Sequence, residues 1–108
     1  MTASQISLDR SSFAPSDPIT TDDALLTAIV CSGDIAAVTV QPITAGCYVV
    51  TRGGSQGGAV PNNRITVAAT GTAEVRPRDV GAGDGQAWTF WVARASAGAV
   101  IHVVGSVR

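Results

Sequence analysis

Few side chains in this protein could do chemistry, and their spacing decides what each could do. Asp79 and Asp84 lie five apart among Gly81, Gly83 and Gly85. Calcium loops use carboxylates in this way because oxygen ligands must converge around a sharp turn. An EF-hand loop also needs further early acidic or amide positions and a late Glu, which are missing here. The stretch therefore reads as a turn-rich loop. Residues 53–58 (GGSQGG) have the glycines of a phosphate cradle, but Ala59 and Val60 stand where a P-loop carries Lys and Ser or Thr. No helix is expected to follow, so a dinucleotide-binding turn lacks its context. The expectation is a flexible loop.

His102 is the only histidine and sits between Ile101 and Val103. One imidazole makes no metal cluster. A Cys–His pair would need Cys31 or Cys47 beside it in a cleft, and nothing in the sequence places them together. Glu74 is the only glutamate, so two-carboxylate hydrolysis would fall to aspartates in turns such as Asp22, Asp23 or Asp34. Turn aspartates usually bond their own backbone. No catalytic residue, cofactor site or metal site is assigned, and no enzyme activity is expected. Cys31 and Cys47 lie sixteen apart. They read as reduced, small buried hydrophobes in strands.

The aromatic residues Phe13, Tyr48, Trp88, Phe90 and Trp91 could form a carbohydrate platform or stack nucleobases. Base stacking wants basic residues between the rings, and only Arg94 is near. Most of these rings are expected in the core. Phe13 and Trp91 are expected at a subunit contact.

The elements that must position these residues are strands. Thirty-two of the 108 residues are Val, Ile or Thr, and three are Leu. β-branched side chains lose rotamer freedom in helices and pack well on a pleated sheet. The length suits one domain. Ile6 and Leu8 alternate with Ser7 and Asp9 in a short first strand. Residues 24–31 favour a strand over a short capped helix. Residues 35–40 form a strand that Pro42 ends, and residues 47–51 follow. Residues 64–70 alternate as a half-buried antiparallel strand. A short strand over 73–75 precedes a second long loop. Residues 87–95 and 99–104 read as a closing hairpin around Ser96-Ala97-Gly98. On its first strand Trp88, Phe90 and Val92 share one face, and Thr89, Trp91 and Ala93 the other.

The expected fold is all-β: a single-domain antiparallel β-sandwich, Ig-like or a small barrel, of seven or eight short strands. Residues 1–23 are an extended N-terminal arm or edge segment, and 24–108 the sandwich. Pro15 and Pro18 keep the arm out of a central strand. With Phe13 as its anchor, the arm could reach a neighbouring subunit.

Charge is sparse. Only 14% of residues are charged, against about 25% in ordinary domains. That shortfall suggests a surface partly covered by other subunits. All seven basic residues are Arg, scattered without a patch, so nucleic-acid binding is not expected. No apolar run approaches the roughly 20 residues that span a bilayer, so no membrane partner is expected. The N-terminus lacks the pattern of a secretory signal, and the chain is expected to stay where it is made.

The Ala/Gly/Thr/Val-rich composition, the size, the Pro-containing segment 11–18 and the closing segment 87–104 together resemble the small β-sandwich virion proteins of tailed bacteriophages, of the capsid-decoration (cement) type. The resemblance covers the whole chain. It implies a head decoration protein assembled in the host cytoplasm. Its partners would be the major capsid protein or other virion subunits, and it would be a homo-oligomer on the particle. Phe13, Pro15, Pro18 and Trp91 would then make subunit contacts. A carbohydrate-binding sandwich using Trp88 or Trp91 is the alternative, as is a tail or head–tail connector component.

Overall fold

Among the described residues the β-branched runs fold as nine strands. In the computed structural model, residues 5–10 and 19–107 are described. The strands are β1 (Gln5–Leu8), β2 (Ile19–Thr21), β3 (Thr27–Cys31), β4 (Ile35–Ile43), β5 (Cys47–Val50), β6 (Ile65–Val67), β7 (Ala73–Val75), β8 (Trp88–Arg94) and β9 (Val100–Val107). One sheet has the order β1-β3-β8-β5-β6 and the other β2-β9-β4-β7. Every pairing is antiparallel except β1 with β3, which run parallel. The chain visits the other sheet as β2 between them, and such a crossover permits a parallel return. Segment 1–23 thus supplies an edge strand to each sheet. Phe13, Pro15 and Pro18 lie outside the described residues.

The two sheets enclose one core. Ile6 and Leu8 of β1, Ile29 and Cys31 of β3, Cys47 and Val49 of β5, and Trp88, Phe90 and Val92 of β8 come from the first sheet. Val38 and Val40 of β4, Val75 of β7, and Ile101 and Val103 of β9 come from the second. The alternation in β8 holds: Trp88, Phe90 and Val92 all point inward. The Trp88 and Phe90 rings stack with centroids 5.7 Å apart. Trp88 Nε1 donates to the carbonyl of Ile35 at 3.2 Å, so the indole N–H is satisfied where it is buried. At the end of the sandwich, the buried hydroxyls of Thr21 and Thr27 lie 3.1 Å apart and join β2 to β3.

Three sequence expectations need correction. The closing hairpin is not one: β8 belongs to the five-stranded sheet and β9 to the four-stranded sheet. The turn at residues 96–99, closed by Ala99 N–H to Ser96 at 3.3 Å with Gly98 at φ 88, carries the chain across the sandwich. Two alternating strands stacked face to face bury the same residues as two paired edge to edge, so the pattern does not separate the cases. Pro42 does not end β4 but pairs opposite Ile101. Its carbonyl accepts from Thr70 N at 3.1 Å, so its nitrogen also points to that side, past the end of β7. The missing N–H therefore costs no ladder bond. The strand expected over 64–70 is reduced to β6, and a turn begins at Ala68, whose carbonyl accepts from Gly71 N.

Two β-branched residues take left-handed backbone angles: Thr44 at φ 77 and Thr70 at φ 64. Ala45 N donates to Ile43 O across Thr44, which makes this the tight γ form of turn. A β-carbon in that region costs about 1–2 kcal/mol. Thr70→Gly is therefore expected to raise stability by about 0.5–1 kcal/mol after the added backbone entropy of glycine is subtracted. Urea unfolding checks this, and a lower midpoint in the variant would contradict it.

Candidate functional site

The groups that could do chemistry are dispersed by the fold. Cys31 and Cys47 are both free and fully buried. They pair with Trp88 and Arg94, at opposite ends of β8. Six residues of strand separate those partners by roughly 20 Å, far beyond disulfide reach. Burial pushes the Cys31 thiol up to about 12 and the Cys47 thiol up to about 11. A thiol held protonated is a poor nucleophile. His102 points outward from the other sheet, between Thr20 of β2 and Gln41 of β4. It therefore pairs with neither cysteine.

The Asp79–Asp84 stretch is a 3-10 turn (Pro77–Val80) followed by a left-handed Gly81. Asp79 spends a carboxylate oxygen on Arg76 N at 2.8 Å, and Asp79 N returns a bond to Arg76 O at 2.9 Å. Among the described residues no group of three His, Cys, Asp or Glu is placed to hold a metal ion. Beside the turn lies an open cleft of about 520 Å³ lined by Ala36, Pro77, Ala82 and Gly83 with Arg76, Arg78 and Asp84. Arg76 is paired with Glu74. The cleft holds no thiol or imidazole, and its charges are mixed.

Asp23 acts as a turn residue and not as a helix cap. Its carboxylate accepts from Leu25 N at 3.0 Å and its carbonyl from Arg94 N at 2.9 Å.

Trp91 lies on the outer face of the five-stranded sheet, as its alternation with Phe90 and Val92 requires, and it is half-buried. The glycine-rich loop after β5 folds over it. A β-carbon at Gly54 would come within 2.5 Å of the indole, so only glycine lets the backbone lie against the ring. Gly57 N donates to Leu26 O at 2.8 Å and Leu26 N to Gly58 O at 2.9 Å, tethering the loop. Leu26, Val50, Ala93, Val60 and Trp91 form a second apolar cluster beneath it. The loop expected to be flexible is thus a packed cover. Next to it Arg64 stands 4.4 Å over the Tyr48 ring.

What the fold does bring together is uncharged surface. Among the described residues Glu74 and Arg94 are the only Asp, Glu or Arg side chains on any strand. Every other described charge sits in a loop or turn. The outer face of the four-stranded sheet presents Ala37, Thr39, Gln41 and Ile43 from β4 with Val100, His102, Val104 and Ser106 from β9. Val104 is 48% exposed. The outer face of the five-stranded sheet offers Ser7, Val30 and Thr89 beyond the edge of the loop. This feature was missed in the sequence, although the signal was there: Asp and Arg fall where Gly and Pro mark turns.

No protein-family model matches the chain, and no curated protein or solved structure matches it either. Among the described residues no helix is long and apolar enough to cross a membrane.

Proposed function

We propose that this chain is a structural virion protein, a bacteriophage head decoration (cement) protein that stabilises the capsid by bridging neighbouring subunits. The observation that supports the reading is the scarcity of charge on both sheets, where Glu74 and Arg94 are the only Asp, Glu or Arg among the described strand residues. A solvated sheet face normally alternates apolar-in with polar or charged-out. Here the outward positions of the long strands are mostly Thr, Val, Ala, Ser, Gln and Ile, with His102 and Glu74 the ionisable exceptions on the four-stranded face, the composition of a surface meant to be covered. The four edge strands are only three or four residues long. Short edges discourage strand addition, so faces and not edges are the surfaces on offer. In this reading the five-stranded sheet, with Ser7, Val30 and Thr89 beside the loop that covers Trp91 and with the segment carrying Phe13, Pro15 and Pro18, faces the major capsid protein. Apolar contact stabilises by about 25 cal/mol per Å², and a symmetric shell repeats it at every site.

The carbohydrate alternative needs an open aromatic platform. Trp88 is 3% exposed and Trp91 lies under Gly54, which disfavours it. A tail or connector role differs from decoration in copy number.

A density gradient of native source lysate tests the reading, with this chain quantified by mass spectrometry in each fraction. Co-migration with a large particle, in fixed ratio to its main shell protein, is the expected result. Low copy number would favour a connector. Recovery in the light fractions alone would overturn the virion reading.

A further inference from the structure

Asp84-Gly85 is the one place in the chain where an Asp or Asn precedes a Gly. Such a bond can rearrange by itself. Glycine puts no side chain in front of its own nitrogen, and that nitrogen can attack the carboxyl carbon of the Asp before it. Every other Asp is followed by a residue that carries a side chain. The fold sets the pair at the surface: Asp84, Gly85 and Gln86 are all exposed. They lie between the 3-10 turn and β8, in a tight turn closed by Gln86 N to Gly83 O at 3.2 Å. Gly85 holds the third position of that turn at φ 82, which glycine adopts without strain. Its amide nitrogen has no hydrogen-bond partner among the described residues. We infer that Asp84 is a self-modification site, which converts to isoaspartate through a cyclic imide formed with Gly85.

The reaction needs no partner but water. The Gly85 nitrogen bonds to the side-chain carboxyl carbon of Asp84, and the carboxyl hydroxyl leaves with the amide proton as water. Water then adds to one of the two imide carbonyls. Breaking the bond from nitrogen to the side-chain carbonyl restores Asp. Breaking the bond to the main-chain carbonyl gives isoaspartate, an isomer of equal mass with the Asp84 β-carbon now in the main chain. Before the attack the turn must swing the nitrogen toward the side chain. Two ties resist this: the closing bond from Gln86 N, and Gly83 N donating to Gln86 Oε1 at 2.9 Å. Asp84 is also held by an interaction of its own. Local opening of the turn therefore gates the reaction, and the Gln86 side chain is its brake. The product reshapes one wall of the cleft. A β-carbon on Gly33 would collide with the Gly85 carbonyl, so the 83–86 turn lies directly on the turn between β3 and β4. A main chain one atom longer does not keep both that contact and the places of Gly83 and Asp84 on the cleft. The inference concerns the isolated chain and does not rest on the shell reading.

The experiment ages the purified, folded chain in mildly acidic buffer and follows each Asp by peptide mass spectrometry. An isoaspartyl carboxyl methyltransferase with labelled S-adenosylmethionine is the probe for the new main-chain carboxylate. Isoaspartate is expected at residue 84 ahead of Asp9, Asp22, Asp23, Asp34 and Asp79, preceded by a peptide lighter by one water. Asp84→Glu, whose longer side chain closes the ring far less readily, is expected to lose the signal at that position. Gln86→Ala is expected to speed the reaction of the folded chain about fivefold, the factor that one hydrogen bond is worth in opening the turn. Circular dichroism confirms that both variants are folded. In concentrated urea the wild type and Gln86→Ala are expected to react at equal rates, because the turn that Gln86 ties is gone. A folded chain that forms no isoaspartate at residue 84, while the chain in urea does, overturns the inference. So does isoaspartate that appears first at another Asp. A folded Gln86→Ala chain that reacts at the wild-type rate overturns the gating by the turn.

Discussion

Phe90→Ala is expected to destabilise the fold by about 3–5 kcal/mol. Phe90 is fully buried at the centre of β8, between β3 and β5, and its ring stacks on Trp88. It is the largest of the side chains with no exposed surface, and the sheets on both sides are fixed by their own ladders. The cavity therefore has little to collapse into it, which places the cost high in the usual range. A domain of this size has only about 5–15 kcal/mol of stability in total. The variant's melting temperature should fall by roughly 15–20 °C. A fall of less than about 5 °C would mean that the ring is not the centre of the packing.

The second large effect is loss of stability in alkali. Both thiols ionise more easily in the unfolded chain, at 9.0, than in the fold, where burial raises them to about 12 for Cys31 and about 11 for Cys47. Above pH 9 the unfolded state releases protons that the native state retains, so stability must fall as pH rises. It is fully present below pH 9 and declines until the folded values are passed. Between pH 8 and pH 10 the two thiols together should cost about 3 kcal/mol. Urea midpoints measured at both pH values check this. The Cys31→Ala, Cys47→Ala double variant starts lower at pH 8, through lost packing, but should fall less by about the same 3 kcal/mol. Parallel decline in the two proteins would contradict the assignment.

Much of the sandwich was legible because period-two alternation is a direct record of burial. Ile6 and Leu8 in β1, and Trp88, Phe90 and Val92 in β8, point where the pattern put them. The pattern carries no information about pairing partners, so β8 and β9 looked like a hairpin and the parallel β1–β3 pair was invisible. Pro42 misled because its effect depends on whether a neighbour asks for the N–H, a tertiary fact. The glycines of residues 53–58 are equally consistent with slack chain and with a backbone pressed on a ring. Gly54 against Trp91 is the second case. Of the expected contact residues, Trp91 was placed on the correct face but not under its cover. The charge-poor faces could have been read by plotting Asp, Glu and Arg on the expected strands, where Asp9, Arg64, Glu74 and Arg94 are the only ones and the first two fall at strand ends.

The central claim is that the charge-poor sheet faces are this protein's working surfaces. Hydroxyl-radical footprinting tests it most directly, comparing the dilute purified chain with the chain as it occurs in its native assembled fraction. The account predicts protection of Ile43, His102 and Val104 on one face and of Val30 on the other, while Arg76, Pro77 and Arg78 beside the cleft stay as reactive as in the free chain. Protection confined to the loops, with both sheet faces as reactive as in the dilute chain, would contradict it.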